Sequence, residues 1–205
     1  MAIKAPQTEA FLRGEGDAWF KRNRDKPKHD VVTPHIIALG IKPDVVVEFG
    51  CGDGERLGFI HRIFPASHCL GVDPSQAAVD EAIKKNGNLG IDFIRGTADF
   101  PLMVSADLII YGFCLYLVDR ELLQRVVYEA DAMLREGGHI IIHDFDPSRP
   151  HKVPYHHLPG LFSYKMDHSL LWLGNPSYQF VTRSRHEEQT AVTVIRKDTN
   201  RGWPR

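Results

Sequence analysis

A turn rich in glycine and acidic residues is the part of the sequence with the clearest chemical meaning. The segment Glu48-Phe49-Gly50-Cys51-Gly52-Asp53-Gly54 follows an apolar run that predicts a buried strand, and it precedes a pattern that predicts a helix. Glycine allows backbone angles that other residues avoid, and it lets a ligand lie against the main chain. In an open parallel sheet such a turn lies at the carboxyl edge, where ligands bind. Asp73 ends the next predicted strand, and a carboxylate there can accept hydrogen bonds from both hydroxyls of a ribose.

Two common phosphate-binding patterns do not fit this turn. A dinucleotide fingerprint needs its third glycine at position 55, but that residue is Glu55 and the third glycine is Gly54. A carboxylate at the start of the helix would repel a pyrophosphate. No Gly-Lys-Ser/Thr sequence follows, as a P-loop requires. Glu48, Asp53 and Glu55 together make the turn acidic, which favours a cationic ligand over a diphosphate.

The elements that must position this turn alternate between strand and helix. Strands separated by helices indicate a parallel sheet covered on both faces. We therefore expect an α/β fold with a doubly wound, seven-stranded, mostly parallel, Rossmann-like sheet and a C-terminal antiparallel hairpin. The predicted strands are 44–49, 69–72, 91–95, 106–111, 140–142, 178–182 and 190–196, and the predicted helices include one from Thr33 to Gly40, one after the N-cap Ser75 and one over 120–134.

Length and composition exclude several classes of protein. The chain has 205 residues, 25 Lys and Arg against 26 Asp and Glu, and a formal net charge of -1. This balance argues against a nucleic-acid partner bound through a general basic field. The absence of long apolar runs and of a leader predicts a cytoplasmic protein with no membrane partner. Three cysteines are too few for a disulfide framework or a four-thiolate zinc site.

Five motifs in order make the sequence similar to the class I S-adenosylmethionine-dependent methyltransferases. They are Val47 to Gly54, Gly71-Val72-Asp73-Pro74-Ser75, Gly96-Thr97-Ala98-Asp99, Ala106-Asp107-Leu108-Ile109-Ile110 and Leu134-Arg135-Glu136-Gly137-Gly138. The resemblance covers about residues 44–145, and the terminal hairpin also matches. It implies one methyltransferase domain over 1–205, divided into an N-terminal lid (1–30), a cofactor-binding core (44–145), an acceptor-side insertion (146–180) and the hairpin (178–197).

The resemblance also implies roles for individual residues toward the cofactor S-adenosylmethionine. Asp73 would hold the ribose hydroxyls, and Glu48 would anchor the turn near the methionine ammonium. In the lid, an arginine would pair with the methionine carboxylate and an aromatic residue would close the pocket, which we assign to Arg22 and Trp19. The alternative for the lid is a solvated helix whose aromatic side chain packs on the core. The full cofactor-binding set is Trp19, Arg22, Glu48, Gly50, Cys51, Gly52, Gly54, Asp73, Pro74, Ala98, Asp99, Phe113 and Cys114.

Candidate acceptor-binding residues follow the core. His143 and Asp144 end the fifth strand, and either is a candidate base for removing a proton from the acceptor. A proline-stiffened, histidine-rich loop follows, and Tyr155, His156 and Lys165 are its candidate substrate contacts. No recognised metal-ligand spacing occurs in this loop, so we expect no metal site.

These observations predict methyl transfer to a small-molecule acceptor at an oxygen or nitrogen atom. Five basic residues between Lys21 and Lys28 raise the hypothesis that the acceptor is acidic. An NAD-dependent oxidoreductase on a similar sheet and a catalytically silent cofactor-binding regulator are the alternatives, and a homodimer is left open.

Overall fold

The computed structural model describes residues 5–27, 29–65, 67–186 and 189–200. Its main feature is a seven-stranded sheet with the strand order β3-β2-β1-β4-β5-β9-β8. The first five strands in this order pair in parallel, and β9 lies antiparallel between β5 and β8. Within the described residues the strands are β1 (Val45–Phe49), β2 (His68–Asp73), β3 (Asp92–Arg95), β4 (Ala106–Gly112), β5 (Leu134–Phe145), β6 (His151–Pro154), β7 (Phe162–Lys165), β8 (Tyr178–His186) and β9 (Thr190–Lys197). The predicted fold class is confirmed.

Helices cover both faces of the sheet because its central strands are apolar on both sides. Ile36, Leu57 and Ala82 pack on one face, and Val126, Met133 and Trp172 pack on the other. The α-helices are α1 (Pro6–Ala10), α2 (Gly16–Asn23), α3 (Thr33–Ala38), α4 (Glu55–Ile63), α5 (Gln76–Asn86), α6 (Leu123–Met133) and α7 (Leu170–Leu173). Ser75 caps α5 as expected, since its hydroxyl accepts the N–H of Ala78 at 3.0 Å.

Several elements differ from the prediction. The helix expected from 120 begins as a 3-10 turn, Arg120–Leu122, before α6. β5 extends to 12 residues, because its first residue, Leu134, already pairs with Ala106 across a register shift. The prolines of residues 146–160 predict irregular backbone, yet β6 pairs with β7 in a separate two-stranded sheet. Pro154 is tolerated because it stands at the end of that ladder, opposite Phe162.

The N-terminal segment forms two short helices that cross the carboxyl edge of the sheet. A single π-helical turn, Phe11–Glu15, joins α1 to α2, and Gly14 within it has a φ of 145°. We call residues 5–27 and 29–30 the N-terminal segment. Among the described residues, no helix combines the length and apolar character needed to cross a membrane.

Gly54, which directly precedes α4, provides a test of how tightly this helix packs against β3. We expect Gly54→Ala to lower the free energy of unfolding by about 2–5 kcal/mol, because a left-handed backbone and an overpacked side chain both destabilise the fold. Gly54 has a φ of +70°, and a Cβ there would stand 2.6 Å from the ring of Phe93. Urea unfolding would measure the loss.

Gly90→Ala is the matched control. Gly90 has the same φ of +70°, but no atom lies within 4 Å of the position of its Cβ. The free energy of unfolding of Gly90→Ala should fall only by the cost of the left-handed backbone, about 1–2 kcal/mol. Equal losses in the two variants would show that the contact with Phe93 contributes nothing.

Candidate active site

A cavity of about 540 Å³ lies between the N-terminal segment and the carboxyl ends of the parallel strands. Most residues predicted to bind a cofactor line it, together with one of the two candidate bases. These lining residues are Trp19, Glu48, Gly50, Cys51, Gly52, Asp73, Pro74, Ala98, Asp99, Phe113, Cys114 and His143. The predicted residues that are not part of its wall are Gly54, Arg22, Asp144, Tyr155, His156 and Lys165.

The glycine turn and Asp73 form the centre of the cavity wall. The Asp73 carboxylate accepts the N–H of Gly52 at 2.9 Å and the N–H of Ser75 at 2.9 Å. These bonds join the turn after β1 to the end of β2. At Gly52 no atom lies within 4 Å of where a Cβ would stand, so the main chain borders open space. Burial raises the pKa of Asp73 to about 6.

One end of the cavity is formed by the segment after β3. Ala98 and Asp99 line it, and Asp99 is held by the hydroxyl of Thr97 at 2.6 Å. Arg125 approaches the same carboxylate at 3.6 Å. A polar planar group would meet both an apolar surface and a fixed carboxylate here.

A buried ionic network forms the wall beside the glycine turn. Arg56 donates to Asp30 at 3.1 Å and to Glu48, which is 1% exposed. Burial raises the pKa of Glu48 to about 7, and the charge of Arg56 opposes this shift. The network joins the end of β1 to the residues that follow α2.

His143 and Phe113 form the opposite end of the cavity. Phe113 has a φ of 59°, its N–H donates to the carbonyl of His143 at 2.8 Å, and the two rings lie 5.2 Å apart. The Nδ1 atom of His143 is buried without a hydrogen-bond partner among the described residues. Burial, with the charge of Arg56 as a second cause, lowers the pKa of His143 to about 4. The imidazole is therefore neutral at pH 7.

Asp144 lies behind the cavity wall, on the opposite face of the sheet. Its carboxylate accepts the N–H of Tyr116 at 3.2 Å and that of Phe145 at 2.7 Å. Burial raises its pKa to about 7, whereas these N–H groups act in the opposite direction. The second candidate base is thus engaged by main-chain donors and does not line the cavity.

Polar contacts hold the N-terminal segment closed. Asp17 accepts the Ser75 hydroxyl at 2.6 Å and the N–H of Ala77 at 3.1 Å, which fixes α2 on the start of α5. This placement brings Trp19 to the cavity. Of the five basic residues between 21 and 28, Lys28 lies outside the described residues, whereas Arg24 and Lys26 line the opening.

The structure places the remaining predicted contacts away from the cavity. Arg22 donates to Glu15 at 2.5 Å and to the hydroxyl of Tyr155 at 3.1 Å. Lys165 lies over the ring of Phe145 at 4.1 Å, and His156 is in an exposed turn. Within the part of the chain that the structure describes, no three His, Cys, Asp or Glu side chains are arranged to hold a metal ion.

Sequence reasoning missed several residues of the site. Arg56 lies two residues after Gly54, so a cation close in sequence to Glu48 and Asp53 was a usable signal. Asp30 and Gln7 gave no signal, since their partners are distant in the sequence. Phe59 and Arg62 also line the cavity, because they project from α4 beside it.

Comparisons with known proteins agree with this arrangement. A family model described as a methyltransferase domain matches residues 46–138. The fold resembles the Burkholderia thailandensis 1,6-didemethyltoxoflavin-N1-methyltransferase, solved with S-adenosylhomocysteine, with a TM-score of 0.77 and 17% identity over 97% of this chain and 92% of that chain. It also resembles the magnesium protoporphyrin IX methyltransferase of Synechocystis PCC 6803, solved with S-adenosylmethionine, with a TM-score of 0.70 and 15% identity over 97% of this chain and 100% of that chain.

At 17% and 15% identity, the two structural likenesses show the fold alone. The family model adds a match to the sequence of residues 46–138. Three of the five motifs lie at the carboxyl edge of the sheet, namely the glycine turn, the end of β2 and the segment after β3. The other two lie within β4 and at the start of β5. The matched core, residues 46–138, is a methyltransferase domain, and the whole chain has the fold of S-adenosylmethionine-dependent methyltransferases.

Proposed function

We propose that this enzyme methylates an oxygen or nitrogen atom of a small-molecule acceptor, with His143 as the base. One observation carries the proposal: a single cavity extends from Asp73 and Asp99 to His143 beneath the N-terminal segment. Cofactor and acceptor would share this space, which favours a compact acceptor over a protein or a nucleic acid. The two structural neighbours named above are, by their names, methyltransferases of the small molecules didemethyltoxoflavin and magnesium protoporphyrin IX.

The residues along the cavity fit S-adenosylmethionine. Asp73 would hold the ribose, Asp99 and Ala98 the adenine, and the main chain at Gly50 and Gly52 the methionine portion. The buried carboxylate of Glu48 suits the methionine ammonium because a low-dielectric wall strengthens the attraction between opposite charges. The cofactor supplies an electrophilic methyl group on a sulfonium. Arg22 is engaged with Glu15 and Tyr155, so its proposed pairing with the methionine carboxylate requires a rearrangement.

His143 suits an acceptor that is itself acidic. A neutral imidazole can accept a proton, but burial lowers the pKa of His143 to about 4, which makes it a weak base. A weak base is most effective when the proton it removes is acidic. Phenols, enols and acidic ring N–H groups therefore fit better than aliphatic alcohols. Arg24, Lys26 and Arg62 at the opening would attract the anionic forms of such acceptors.

A panel of acceptors tests the proposed function. The purified protein is incubated with S-adenosylmethionine and phenols, enols, nitrogen heterocycles, aliphatic alcohols or amines, and release of S-adenosylhomocysteine is measured. We expect turnover with an acidic acceptor. Turnover restricted to protein or RNA would contradict the small-molecule proposal, and S-adenosylhomocysteine binding without turnover on any acceptor would favour the silent regulator.

Replacement of Asp73 tests the ribose assignment. We expect Asp73→Asn to weaken binding of S-adenosylhomocysteine by roughly 10- to 100-fold, because it removes a charged hydrogen-bond acceptor from a buried site. Isothermal titration calorimetry measures the affinity. Asp92→Asn, on the exposed start of β3, is the control and should bind normally. Unchanged affinity in Asp73→Asn would overturn the assignment.

Replacement of His143 tests the base. We expect His143→Asn to lower kcat by about 10²- to 10⁴-fold, the usual contribution of a general base, with little change in S-adenosylhomocysteine affinity. Because the pKa of His143 is about 4, its neutral form is present above that pH, and its protonation should slow the wild-type enzyme only below about pH 5. The rate is measured with an acceptor identified by the panel.

His139→Asn is the matched control for this variant. His139 lies on the same strand but pairs with Arg196 near the opposite edge of the sheet. It should retain the wild-type kcat. A His143→Asn variant as active as His139→Asn would show that the reaction needs no base at position 143.

A further inference from the structure

We propose that Asp144 is a positioning residue that fixes the loop after β4 and, through that loop, closes the N-terminal segment over the cavity. We call residues 113–119 the β4 loop. The inference rests on the proposed function, since the loop borders the cavity in which methyl transfer would occur.

The Asp144 carboxylate binds the main chain of the β4 loop on the side away from the cavity. Its side chain is 1% exposed, and it accepts the N–H of Tyr116 at 3.2 Å. The N–H of Leu115 also stabilises the charged form. Buried main-chain donors require acceptors, and this carboxylate accepts the N–H of Tyr116, which lies within the 3-10 turn Leu115–Leu117.

The loop so fixed forms one wall of the cavity. Phe113, Cys114, Leu117 and Val118 line it. Phe113 has a φ of 59°, a conformation that non-glycine residues adopt only where their surroundings enforce it. The bond from Tyr116 to Asp144 comes three residues later, so it fixes the main chain shortly after this strained position.

The other end of the loop holds the N-terminal segment. The Asp119 carboxylate accepts the N–H of Gln7 at 3.1 Å and that of Thr8 at 2.8 Å. The Gln7 side chain donates to the carbonyl of Leu117 at 2.6 Å and accepts the N–H of Phe162 at 2.6 Å. Gln7 is 2% exposed. The N-terminal segment is thus attached to the part of the loop that Asp144 supports.

An amide cannot replace the carboxylate in this arrangement. In the Asp144→Asn variant, the side chain would present an NH₂ group toward one of the main-chain N–H groups that the two carboxylate oxygens now accept. The nearby imidazole of His168, whose Nδ1 lies 3.9 Å from the carboxylate, is also buried and without a hydrogen-bond partner among the described residues. The change therefore leaves a buried donor unsatisfied, which loosens the loop.

Asp144→Asn is compared with Asp107→Asn. Asp107 is the control because it is a buried carboxylate of the same sheet at the opposite edge. One of its oxygens accepts the N–H groups of Asp44 at 3.0 Å and Val45 at 2.8 Å, and the other pairs with Arg135. Both variants are examined at urea concentrations that give equal fractions folded. This comparison separates an effect on the N-terminal segment from a general loss of stability.

We expect Asp144→Asn to accelerate tryptic cleavage at Arg13, Lys21 and Arg22 and to weaken S-adenosylhomocysteine binding, each by about 10-fold or more. Asp107→Asn should change neither beyond about 2-fold, because Asp107 is at the opposite edge of the sheet and distant sites act independently. Equal behaviour of the two variants would overturn the proposal. Both measurements are independent of turnover, so an inactive wild-type enzyme would contradict the proposed function and leave this inference intact.

Hydrogen exchange in the wild-type protein provides a second measurement if Asp144→Asn does not fold. We expect the amides of Leu115 and Tyr116 to exchange in the same cooperative unit as those of Gln7 and Thr8. In Gln7→Leu, the first pair should stay protected while the amide of Thr8 exchanges faster. Independent exchange of the two pairs in the wild type would contradict coupling between the loop and the N-terminal segment.

Discussion

Main-chain N–H groups at the carboxyl edge of the sheet need acceptors, and carboxylates supply them throughout this structure. Turns and helix starts crowd that edge, and each leaves donors that no strand can satisfy. Asp73 accepts from Gly52 and Ser75, and Asp144 accepts from Tyr116. Asp17 and Asp119 do the same for α5 and α1. The shape of the cavity depends on these four side chains, because each fixes a segment of its wall.

This use of carboxylates explains how a polar N-terminal segment closes over the site. Phe11 and Phe20 are its buried apolar anchors. Its position is fixed by hydrogen bonds that Gln7 and Arg22 donate and that Asp17 accepts. Such bonds contribute about 1 kcal/mol each on a net basis, far less than burial of a large apolar surface. A closure held in this way is compatible with repeated opening for cofactor exchange, and Gly14, with its φ of 145°, lies at the joint between the two helices.

The features that the sequence predicted correctly are those determined by residues close together in the chain. The apolar run before Gly50, the acidic end of β2 and the cap at Ser75 each depend on neighbours in sequence, and the structure contains all three. The Arg56–Asp30 pair and the contacts of Gln7 were not predictable, because their partners are 26 and 110 positions away. The β6–β7 pair was missed since prolines normally indicate irregular backbone, and only the position of Pro154 at the end of the ladder makes it acceptable.

The different positions of His143 and Asp144 follow from strand geometry. Successive side chains in a strand point to opposite faces, so two adjacent residues on β5 cannot both reach the same cavity. His143 shares its face with Ile141, which packs against α3 and α4, and Asp144 shares its face with Ile142, which packs near Trp172. A histidine–aspartate pair read along the sequence suggests one catalytic unit. In the sheet the two side chains lie on opposite faces. That of His143 borders the cavity, and that of Asp144 supports the loop that encloses the cavity.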